Sequence, residues 1–238
     1  MKIALLRVGV DSGCGGIQGP LFRDGTFEFI PIPDDKHEVD RRTYGNTIGR
    51  HGRALVDYFP PRARSRMAEF PMHVDPEFET FTYGDPTPPK KGLRYLAKGD
   101  LLIFYAGLQG FDFENPPALY IIGYFEVQVA GLAASFSPTQ ISQDFAQNFH
   151  VRHRALFEQQ KEHLVLVKGG KGSRLLNKAR LLSETVTAKD KPPLKKITAS
   201  MRRIFGEFGG RHSFQRSPTR WVEPGLVERA AKFVRSLS

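Results

Sequence analysis

Uninterrupted apolar runs, rather than strictly alternating ones, form the strongest pattern in this chain. Two of them, Leu101–Tyr105 and Leu119–Val127, are rich in β-branched and aromatic residues and are separated by a loop. Central strands that are buried on both faces have this composition, so the two runs predict an antiparallel pair inside a sheet. Shorter extended runs predict further strands at Ile3–Val10, 26–33, 77–82 and His163–Val167.

Helix signals are concentrated in the second half of the chain, where Ser137 and Ser173 each precede a predicted helix as its N-cap. Residues 183–200, which carry several Lys and Pro, are expected to form a linker or a flexible loop. The predicted helices cover about 52–59, 138–149 with a continuation over 152–162, Arg174–Leu182 and Pro224–Leu237.

Strands in the first half and helices in the second favour an α+β fold over a regular alternation of strands and helices. We therefore expect residues 1–238 to form a single domain. Its core would be a mixed sheet or a partly open barrel, followed by a helical, basic C-terminal part.

Length and composition exclude several classes of protein. The 238 residues are 40% hydrophobic, and no apolar run approaches the length of a membrane span. The N-terminus begins a strand rather than a signal sequence. A single Cys excludes an intrachain disulfide and a multi-cysteine zinc site. A cytoplasmic protein without a membrane partner is expected.

The excess of positive over negative charge lies wholly in the last third of the chain. Residues 1–150 contain 15 Lys/Arg and 18 Asp/Glu, whereas residues 151–238 contain 20 and 7, within a total net charge of +10. A basic segment of this size is typical of a partner that is a polyanion, most often nucleic acid. The alternative is a solvated surface that keeps the protein soluble.

A glycine-rich turn follows the first predicted strand and contains Asp11, Cys14, Gly15 and Gly16. Gly tolerates positive φ, so such a turn can direct successive backbone N–H groups at one ligand, although a plain structural turn has the same composition. The turn matches neither the dinucleotide-binding pattern nor the P-loop. The next loop adds Arg23 and Asp24 as polar neighbours, and Arg7 precedes the turn.

Several residues are candidates for catalysis. Asp11, Asp24 and Asp85 lie at strand ends, where carboxylates can act as acid/base groups or Mg²⁺ ligands. Each has the alternative of stabilising its own turn. Cys14 is a candidate nucleophile, although no His lies near it in sequence. Tyr83 can stack on a base or donate a hydrogen bond.

A second glycine-rich turn, 168–174, is predicted to open a helix and to bind phosphate at the N-terminus of that helix. Its contributing residues would be Lys168, Lys171, Ser173 and Arg174. The alternative is an exposed connection with incidental lysines. Near the C-terminus, residues 211–221 mix basic, hydroxyl and aromatic groups, among them Arg216 and Arg220, as nucleic-acid contacts do.

The sequence identifies no cofactor and predicts no metal ligands. None of the seven His residues has the spacing of a zinc motif, and the pattern His73-x-Asp75 is too common to indicate one.

The strand pair within residues 99–127 resembles that of PUA-like barrels, which include the EVE and ASCH families. The resemblance implies a site that holds nucleic acid or an extruded base against aromatic walls. Phe104, Tyr105 and Tyr120 are the aromatics that such a site would use. The alternative is that all of them belong to the core.

An ordered series of motifs extends over most of residues 1–185. It begins with Leu6-Arg7-Val8-Gly9-Val10-Asp11-Ser12-Gly13 and continues through Phe27-Glu28-Phe29-Ile30-Pro31, Asp75-Pro76-Glu77-Phe78-Glu79, Thr82-Tyr83-Gly84-Asp85, Gly99-Asp100-Leu101-Leu102 and Ser173-Arg174-Leu175-Leu176. This series resembles the third family of nucleotide-modification-associated domains, which phages and bacteria encode beside systems that alter nucleic-acid bases. The resemblance implies an association with base modification but no particular reaction.

Two hypotheses follow. In the first, the protein is a base-modification component that acts on a nucleic acid or nucleotide, with base-modification or restriction proteins as partners. In the second, it is a non-catalytic PUA-like reader of modified bases. A nuclease is permitted by the carboxylates but not favoured. A catalyst needs polar side chains from several segments in one pocket, whereas a reader needs an aromatic cage.

Overall fold

The computed structural model describes residues 1–11, 17–34, 40–188, 191–208, 214 and 218–237. Its strands are β1 (Ile3–Arg7), β2 (Gly19–Leu21), β3 (Ile32–Pro33), β4 (Met72–His73), β5 (Thr82–Asp85), β6 (Leu101–Gly110), β7 (Ala118–Leu132), β8 (Val165–Gly169), β9 (Arg174–Leu181), β10 (Ser183–Ala188), β11 (Lys191–Ile197) and β12 (Arg220–Trp221). Its α-helices are α1 (Pro61–Ala68), α2 (Pro138–Asp144), α3 (Phe149–Arg152), α4 (Arg154–Gln160), α5 (Ala199–Phe205) and α6 (Val227–Arg235). Short 3₁₀ helices occur at Leu55–Tyr58, Pro88–Tyr95, Ala133–Ser135 and Pro224–Leu226.

Within the described ranges, eight strands form one mixed sheet, in the order β12-β1-β6-β7-β8-β5, with β2 also paired to β6 and β9 also paired to β7. Strands β1 and β2 are both parallel to β6, whereas β6 and β7 are antiparallel. The path of the described strands is open rather than closed into a barrel. The fold class is therefore α+β with a mixed sheet, as predicted, and the likeness to PUA-like barrels stays a prediction.

The long hairpin β6–β7 is the centre of the core. Every residue of Leu101–Leu108 and of Ala118–Phe125 is buried, because neighbouring strands cover both edges and other elements cover both faces. The prediction of central strands is confirmed. Phe104, Tyr105 and Tyr120 are core residues, at 0%, 0% and 7% exposure. Burial on both faces is the physical reason that these aromatics cannot form an open cage.

The predicted helix Arg174–Leu182 is wrong, because these residues form β9 on the free edge of β7. Ser173 is not an N-cap. Its hydroxyl instead accepts a hydrogen bond from the Glu126 N–H at 3.1 Å, which joins the turn to β7. The sequence Arg-Leu-Leu-Asn-Lys-Ala-Arg-Leu has high helix propensity, but hydrogen bonding to an unpaired strand edge outweighs that preference.

The described residues of the predicted loop 183–200 form the antiparallel pair β10–β11 and the start of α5 instead. The Ser183 hydroxyl accepts a hydrogen bond from the Leu119 N–H at 3.0 Å, so this pair is tied to the end of β7. The basic last third contains α5 and α6 but also β8 to β12, and it therefore contributes strands to the sheet. That residues 1–238 form a single domain stays a prediction.

Other helices and strands follow the prediction in part. Ser137 caps α2 through a capping box with Gln140, but that helix ends at Asp144, and α3 and α4 are separate. The alternating stretch 77–82 closes a turn through a bridge between Glu77 and Thr82, and the strand itself is β5. Helix α6 confirms the predicted C-terminal helix.

No helix within the described ranges combines the length and the apolar character that crossing a bilayer requires.

Candidate functional site

An opening in the edge of the sheet lies where β1 ends and β2 begins. Arg7, the last residue of β1, pairs with Tyr105 of β6, and Gly19, the first of β2, pairs with Leu108. Gly107 lies on β6 between these two paired stretches and is buried. In open sheets, ligand sites commonly lie beyond the carboxyl ends of parallel strands.

Gly107 makes room for two polar side chains at this opening. A Cβ atom at Gly107 would lie 1.9 Å from the Gln18 Oε1 and 3.8 Å from the Arg7 Nη2. Only glycine permits this approach, because real Cβ atoms do not come within 3 Å of another heavy atom. The side chains of Gln18 and Arg7 therefore both lie close to Gly107 on β6.

Strand register places polar side chains of β1, β6 and β12 on one face. Leu5 pairs with Arg220, and Arg7 pairs with Tyr105. Since alternate residues of a strand share a face, the side chains of Arg7, Tyr105 and Arg220 lie together. We call the resulting group the strand-end cluster, which consists of Arg7, Asp11, Tyr105, Lys195, Phe214 and Arg220.

Contacts within the strand-end cluster link five segments of the chain. Arg7 forms an ion pair with Asp11, with 3.0 Å between Nη2 and Oδ2. The Phe214 ring lies 5.5 Å from the Tyr105 ring and 5.7 Å from the Arg220 guanidinium. Phe214 N–H donates to the Lys195 carbonyl at 3.0 Å, which brings β11 into the group. The cluster is thus assembled by the fold rather than by one loop.

The electrostatics of this cluster are dominated by burial and positive charge. Burial raises the pKa of Tyr105 to about 12, against the effect of Arg220 and Arg7, so its phenol is protonated at neutral pH. Burial, and then the charge of Arg7, lowers the pKa of Lys195. Lys195 also donates hydrogen bonds to the Pro117 carbonyl and, at 2.7 Å, to the Thr185 hydroxyl. The positive charges of Arg7, Lys195 and Arg220 in one cluster favour binding of an anion.

A cavity of about 300 Å³ adjoins the opening and shares Gln18 with it. We call it the aromatic cavity. Its walls come from β2 and the residues just before it, the end of β6 and the residue after it, the 3₁₀ helix Leu55–Tyr58 and helix α1. They include Gln18, Tyr58, Arg64 and Phe111. The Tyr58 and Phe111 rings lie 5.2 Å apart, edge to face, and Phe111 is 41% exposed.

Tyr58, which lines this cavity, has an unsatisfied hydroxyl. Its oxygen is buried and has no hydrogen-bond partner among the described residues. Burial, and then the charge of Glu28, raises the pKa of Tyr58 to about 12, so the hydroxyl keeps its proton at neutral pH. Buried polar atoms without partners are rare and often mark a place where a ligand binds.

The structure brings four of the predicted site residues together, namely Arg7, Asp11, Tyr105 and Arg220. Cys14, Gly15, Gly16 and Arg216 lie outside the described residues. Along the chain, the first three follow Asp11, and Arg216 precedes Arg220. Lys195, Gln18, Tyr58 and Phe111 were missed by the sequence analysis. Only the charge of Lys195 gave any signal, because the others carry no motif.

The other predicted carboxylates lie in turns and contact different groups. Asp24 accepts hydrogen bonds from the Thr26 N–H at 2.9 Å and the Thr26 hydroxyl at 2.6 Å, and these bonds lower its pKa. Asp85 accepts from the Thr87 N–H at 2.7 Å and from the Tyr83 hydroxyl at 2.8 Å. These contacts are those of turn-stabilising Asp residues. A catalytic role for Asp24 or Asp85 stays a prediction.

The remaining predicted binding residues are dispersed. Arg23 is exposed, with its guanidinium 5.9 Å from the Phe113 ring centre. Lys168 donates to the Thr80 carbonyl at 2.6 Å, and Lys171 and Arg174 are exposed. Because β9 replaces the expected helix, the turn 168–174 does not precede a helix N-terminus. A phosphate role for its lysines stays a prediction that now depends on side-chain charge alone.

A second polar group, which the sequence did not predict, consists of His73, Asp75 and His150. We call it the His–Asp–His cluster. One possible ligand atom from each residue lies within 4.8 Å of the others. His73 ends β4 and His150 belongs to α3, so the fold joins residues that are far apart in sequence. The Asp75 side chain is hydrogen-bonded to β5. In the sheet, the three strands β6, β7 and β8 lie between β5 and β1, the strand that contains Arg7.

Hydrogen bonds fix the orientation of Asp75 and His150. The Asp75 Oδ2 accepts from the Gly84 N–H at 2.8 Å and from the Asn148 amide at 3.3 Å. The His150 Nδ1 lies 2.7 Å from the Gln160 Oε1, an atom that can only accept, so Nδ1 carries the proton. The other nitrogen, Nε2, lies 3.8 Å from the Asp75 Oδ2.

Close packing supports this arrangement. A Cβ atom at Gly84 would lie 2.8 Å from the Asn148 Oδ1, so glycine lets α3 approach β5. The Asn148 side chain accepts a hydrogen bond from the His150 N–H at 3.1 Å and caps α3. His73 stacks on Phe149 with ring centres 3.9 Å apart. Burial raises the pKa of Asp75 well above its ordinary value, although the hydrogen bonds from Gly84 and Asn148 oppose this.

Comparison with known proteins identifies a family. The model of a family described as nucleotide modification associated domain 3 matches residues 2–236, which is nearly the whole chain. No curated protein and no solved structure matches the chain at a significant level.

Proposed function

Because the chain belongs to the nucleotide modification associated domain 3 family, we propose that it is a base-modification component. Its substrate would be a nucleotide or a nucleic-acid strand. The phosphate would bind at the strand-end cluster, and the base would enter the aromatic cavity. The observation that carries this proposal is the position of Gln18, which lines the cavity and, like Arg7, lies close to Gly107.

The strand-end cluster suits a phosphate. Arg7, Lys195 and Arg220 come from three separate strands, and guanidinium groups form charge-assisted hydrogen bonds with phosphate oxygens. A bound anion would also favour the charged form of Lys195, whose pKa burial and Arg7 lower. The predicted basic contribution of the C-terminal third would thus enter the site through β11 and β12.

The aromatic cavity suits a base. Its volume of about 300 Å³ is at the lower end of the range for small-molecule sites. Phe111 offers an exposed ring for stacking, and the unpaired hydroxyl of Tyr58 offers a hydrogen bond to a base edge. Asp11, which forms an ion pair with Arg7 in the strand-end cluster, would act as the acid/base group, with Cys14 following it in sequence.

The reader of modified bases is the second candidate. It gains support from the aromatic cavity, because stacking walls are what a reader needs. However, the aromatic residues first proposed for a reader site cannot stack on a base, since Phe104, Tyr105 and Tyr120 are buried. We favour the modification role because charged side chains from several segments meet beside the cavity, which an aromatic cage does not require. Modification or restriction proteins remain the partners that this role implies.

Mass spectrometry of nucleosides distinguishes the two roles. DNA, RNA and the nucleotide pool would be compared between cells with and without the protein. Cells that carry Lys195→Gln or the matched variant Lys196→Gln would be included. A modification component should change the profile, and Lys195→Gln should reduce that change while Lys196→Gln, on the exposed side of β11, should not. Identical profiles with tight binding to an already modified base would favour the reader.

A further inference from the structure

Asp75 is a buried carboxylate whose hydrogen-bonding capacity is only half used. Only 2% of its side-chain surface is exposed. Its Oδ2 accepts two hydrogen bonds, whereas its Oδ1 has no hydrogen-bond partner in the described part of the chain. Leaving a buried carboxyl oxygen unpaired is costly, so a native structure normally provides a partner or an ion.

The two histidines beside Asp75 are arranged as ligands. His150 is held by the bond from its Nδ1 to Gln160, so the unprotonated Nε2 faces the carboxylate. The distance of 3.8 Å from this nitrogen to the Asp75 Oδ2 is too long for a hydrogen bond. Two ligand atoms that are each about 2.1 Å from one ion lie roughly 3.0–3.4 Å apart, so a small side-chain rotation would suffice.

We infer that the His–Asp–His cluster binds one divalent first-row transition-metal ion, with His73, Asp75 and His150 as its ligands. Two imidazoles and one carboxylate suit Zn²⁺, Fe²⁺ or Co²⁺ rather than Mg²⁺ or Ca²⁺, which prefer oxygen ligands. Three protein ligands leave at least one position for water or a substrate, as in catalytic rather than structural sites. This inference does not depend on the proposed nucleotide function.

Supporting residues around the cluster resemble the outer shell of known metal sites. A metal-bound His usually donates its other N–H to an oxygen acceptor, as His150 does to Gln160. A ligating carboxylate is usually hydrogen-bonded as well, as Asp75 is by Gly84 and Asn148. His73 is partly exposed, which gives an ion a route from solvent. The position of Gln160 identifies it as a positioning residue for His150.

Metal binding by the full chain tests the inference. Protein that has been stripped with a chelator would be dialysed against Co²⁺ and, separately, Zn²⁺, and bound metal would be measured by mass spectrometry. The visible absorption of Co²⁺ would report its ligands. We expect one ion per chain, loss of that ion in Asp75→Asn and His150→Gln, and a roughly 10–100-fold weaker affinity in Gln160→Leu.

His163→Gln is the matched control, because His163 is exposed and lies outside the cluster, and it should retain the ion. If a buried variant fails to fold by circular dichroism, His73→Gln replaces it, since His73 is partly exposed. Wild-type protein that binds neither ion would overturn the inference, as would ligand variants that bind the ion as tightly as wild type. Wild-type protein that binds the metal ion but no nucleotide would instead count against the proposed function alone.

Discussion

Tyr58 and Tyr105 are buried phenols at the aromatic cavity and at the strand-end cluster, and burial raises the pKa of each to about 12. Both therefore keep their protons at neutral pH and can donate hydrogen bonds to a ligand. Burial acts in the opposite direction on lysines, since it disfavours their charged form. Lys195 and Lys90 both have lowered pKa values for this reason.

At Lys90, the effect of burial on a charged lysine can be measured as a change in the free energy of unfolding. It is only 5% exposed, its amine has no hydrogen-bond partner among the described residues, and burial lowers its pKa to about 8, with Asp85 opposing. The unfolded chain holds the proton more tightly, so the charged Lys90 destabilises the fold fully below about pH 8. This penalty is relieved as the pH rises from there toward the unfolded pKa of 10.5.

We therefore expect Lys90→Met to stabilise the protein at pH 7 by roughly 1–3 kcal/mol, and by much less near pH 10. Urea denaturation at both pH values measures this, with Lys91→Met at the neighbouring exposed position as control. A Lys90→Met variant that is less stable than wild type at pH 7 would show that the amine has a stabilising partner.

A single substitution at Phe111 tests whether a base binds in the aromatic cavity. Replacing it with Ala should weaken binding of a short single-stranded oligonucleotide about ten- to a hundredfold, because one stacked base contributes roughly 1–3 kcal/mol. Tyr95→Ala removes an aromatic ring of comparable exposure that is not part of the cavity and should have no effect. Fluorescence anisotropy measures both. Equal affinity of Phe111→Ala and wild type would remove the stacking role.

Single residues of the site were predictable only where the sequence marked them. Arg7 and Asp11 adjoin the glycine-rich turn, and Arg220 lies in a basic stretch, so motif and charge identified them. Tyr58 and Phe111 have ordinary surroundings in the sequence, and only the three-dimensional packing of two segments makes a cavity between them. The metal ligands lie 77 positions apart from His73 to His150, so no spacing rule connects them.

Among the secondary-structure elements, β6, β7 and α6 were predicted because each carries its own pattern. Their apolar residues bury whole strands or one helix face. Strand β9 was not predicted, since its sequence favours a helix and its structure depends on pairing with β7. The pair β10–β11 was also missed, because Lys and Pro at an edge resemble a linker. Such edge elements depend on tertiary hydrogen bonds that local sequence does not record.

Strand β9 can be tested by its burial pattern. Leu176 is fully buried and Leu181 is 44% exposed, although both are leucines of the same strand. Leu176→Ala should therefore reduce the free energy of unfolding by about 2–5 kcal/mol. Leu181→Ala should change it by less than about 0.5 kcal/mol. Denaturant titration compares them, and a larger cost for Leu181→Ala would contradict the placement of this strand.

Across the whole molecule, the uneven charge acquires a structural meaning. The positive excess of residues 151–238 does not form a separate basic module, because its strands β8, β9 and β12 are part of the same sheet as β1. Through β11 and β12, Lys195 and Arg220 reach a site whose other charged residues, Arg7 and Asp11, lie in residues 1–150, where Asp and Glu slightly outnumber Lys and Arg. A polyanion partner stays a prediction from the sequence, and which basic residues converge was not predictable, since that depends on strand order.

The central claim is that a nucleotide phosphate binds at the strand-end cluster. The most direct measurement is the affinity of a short single-stranded DNA for wild type, Lys195→Gln and Lys196→Gln at several salt concentrations. Lys195→Gln should bind at least tenfold more weakly than wild type and show a salt dependence shallower by about 0.7, the loss of one phosphate contact. Lys196→Gln, whose side chain is exposed, should stay within about twofold of wild type. Equal loss in both lysine variants, or no loss in either, would contradict the claim.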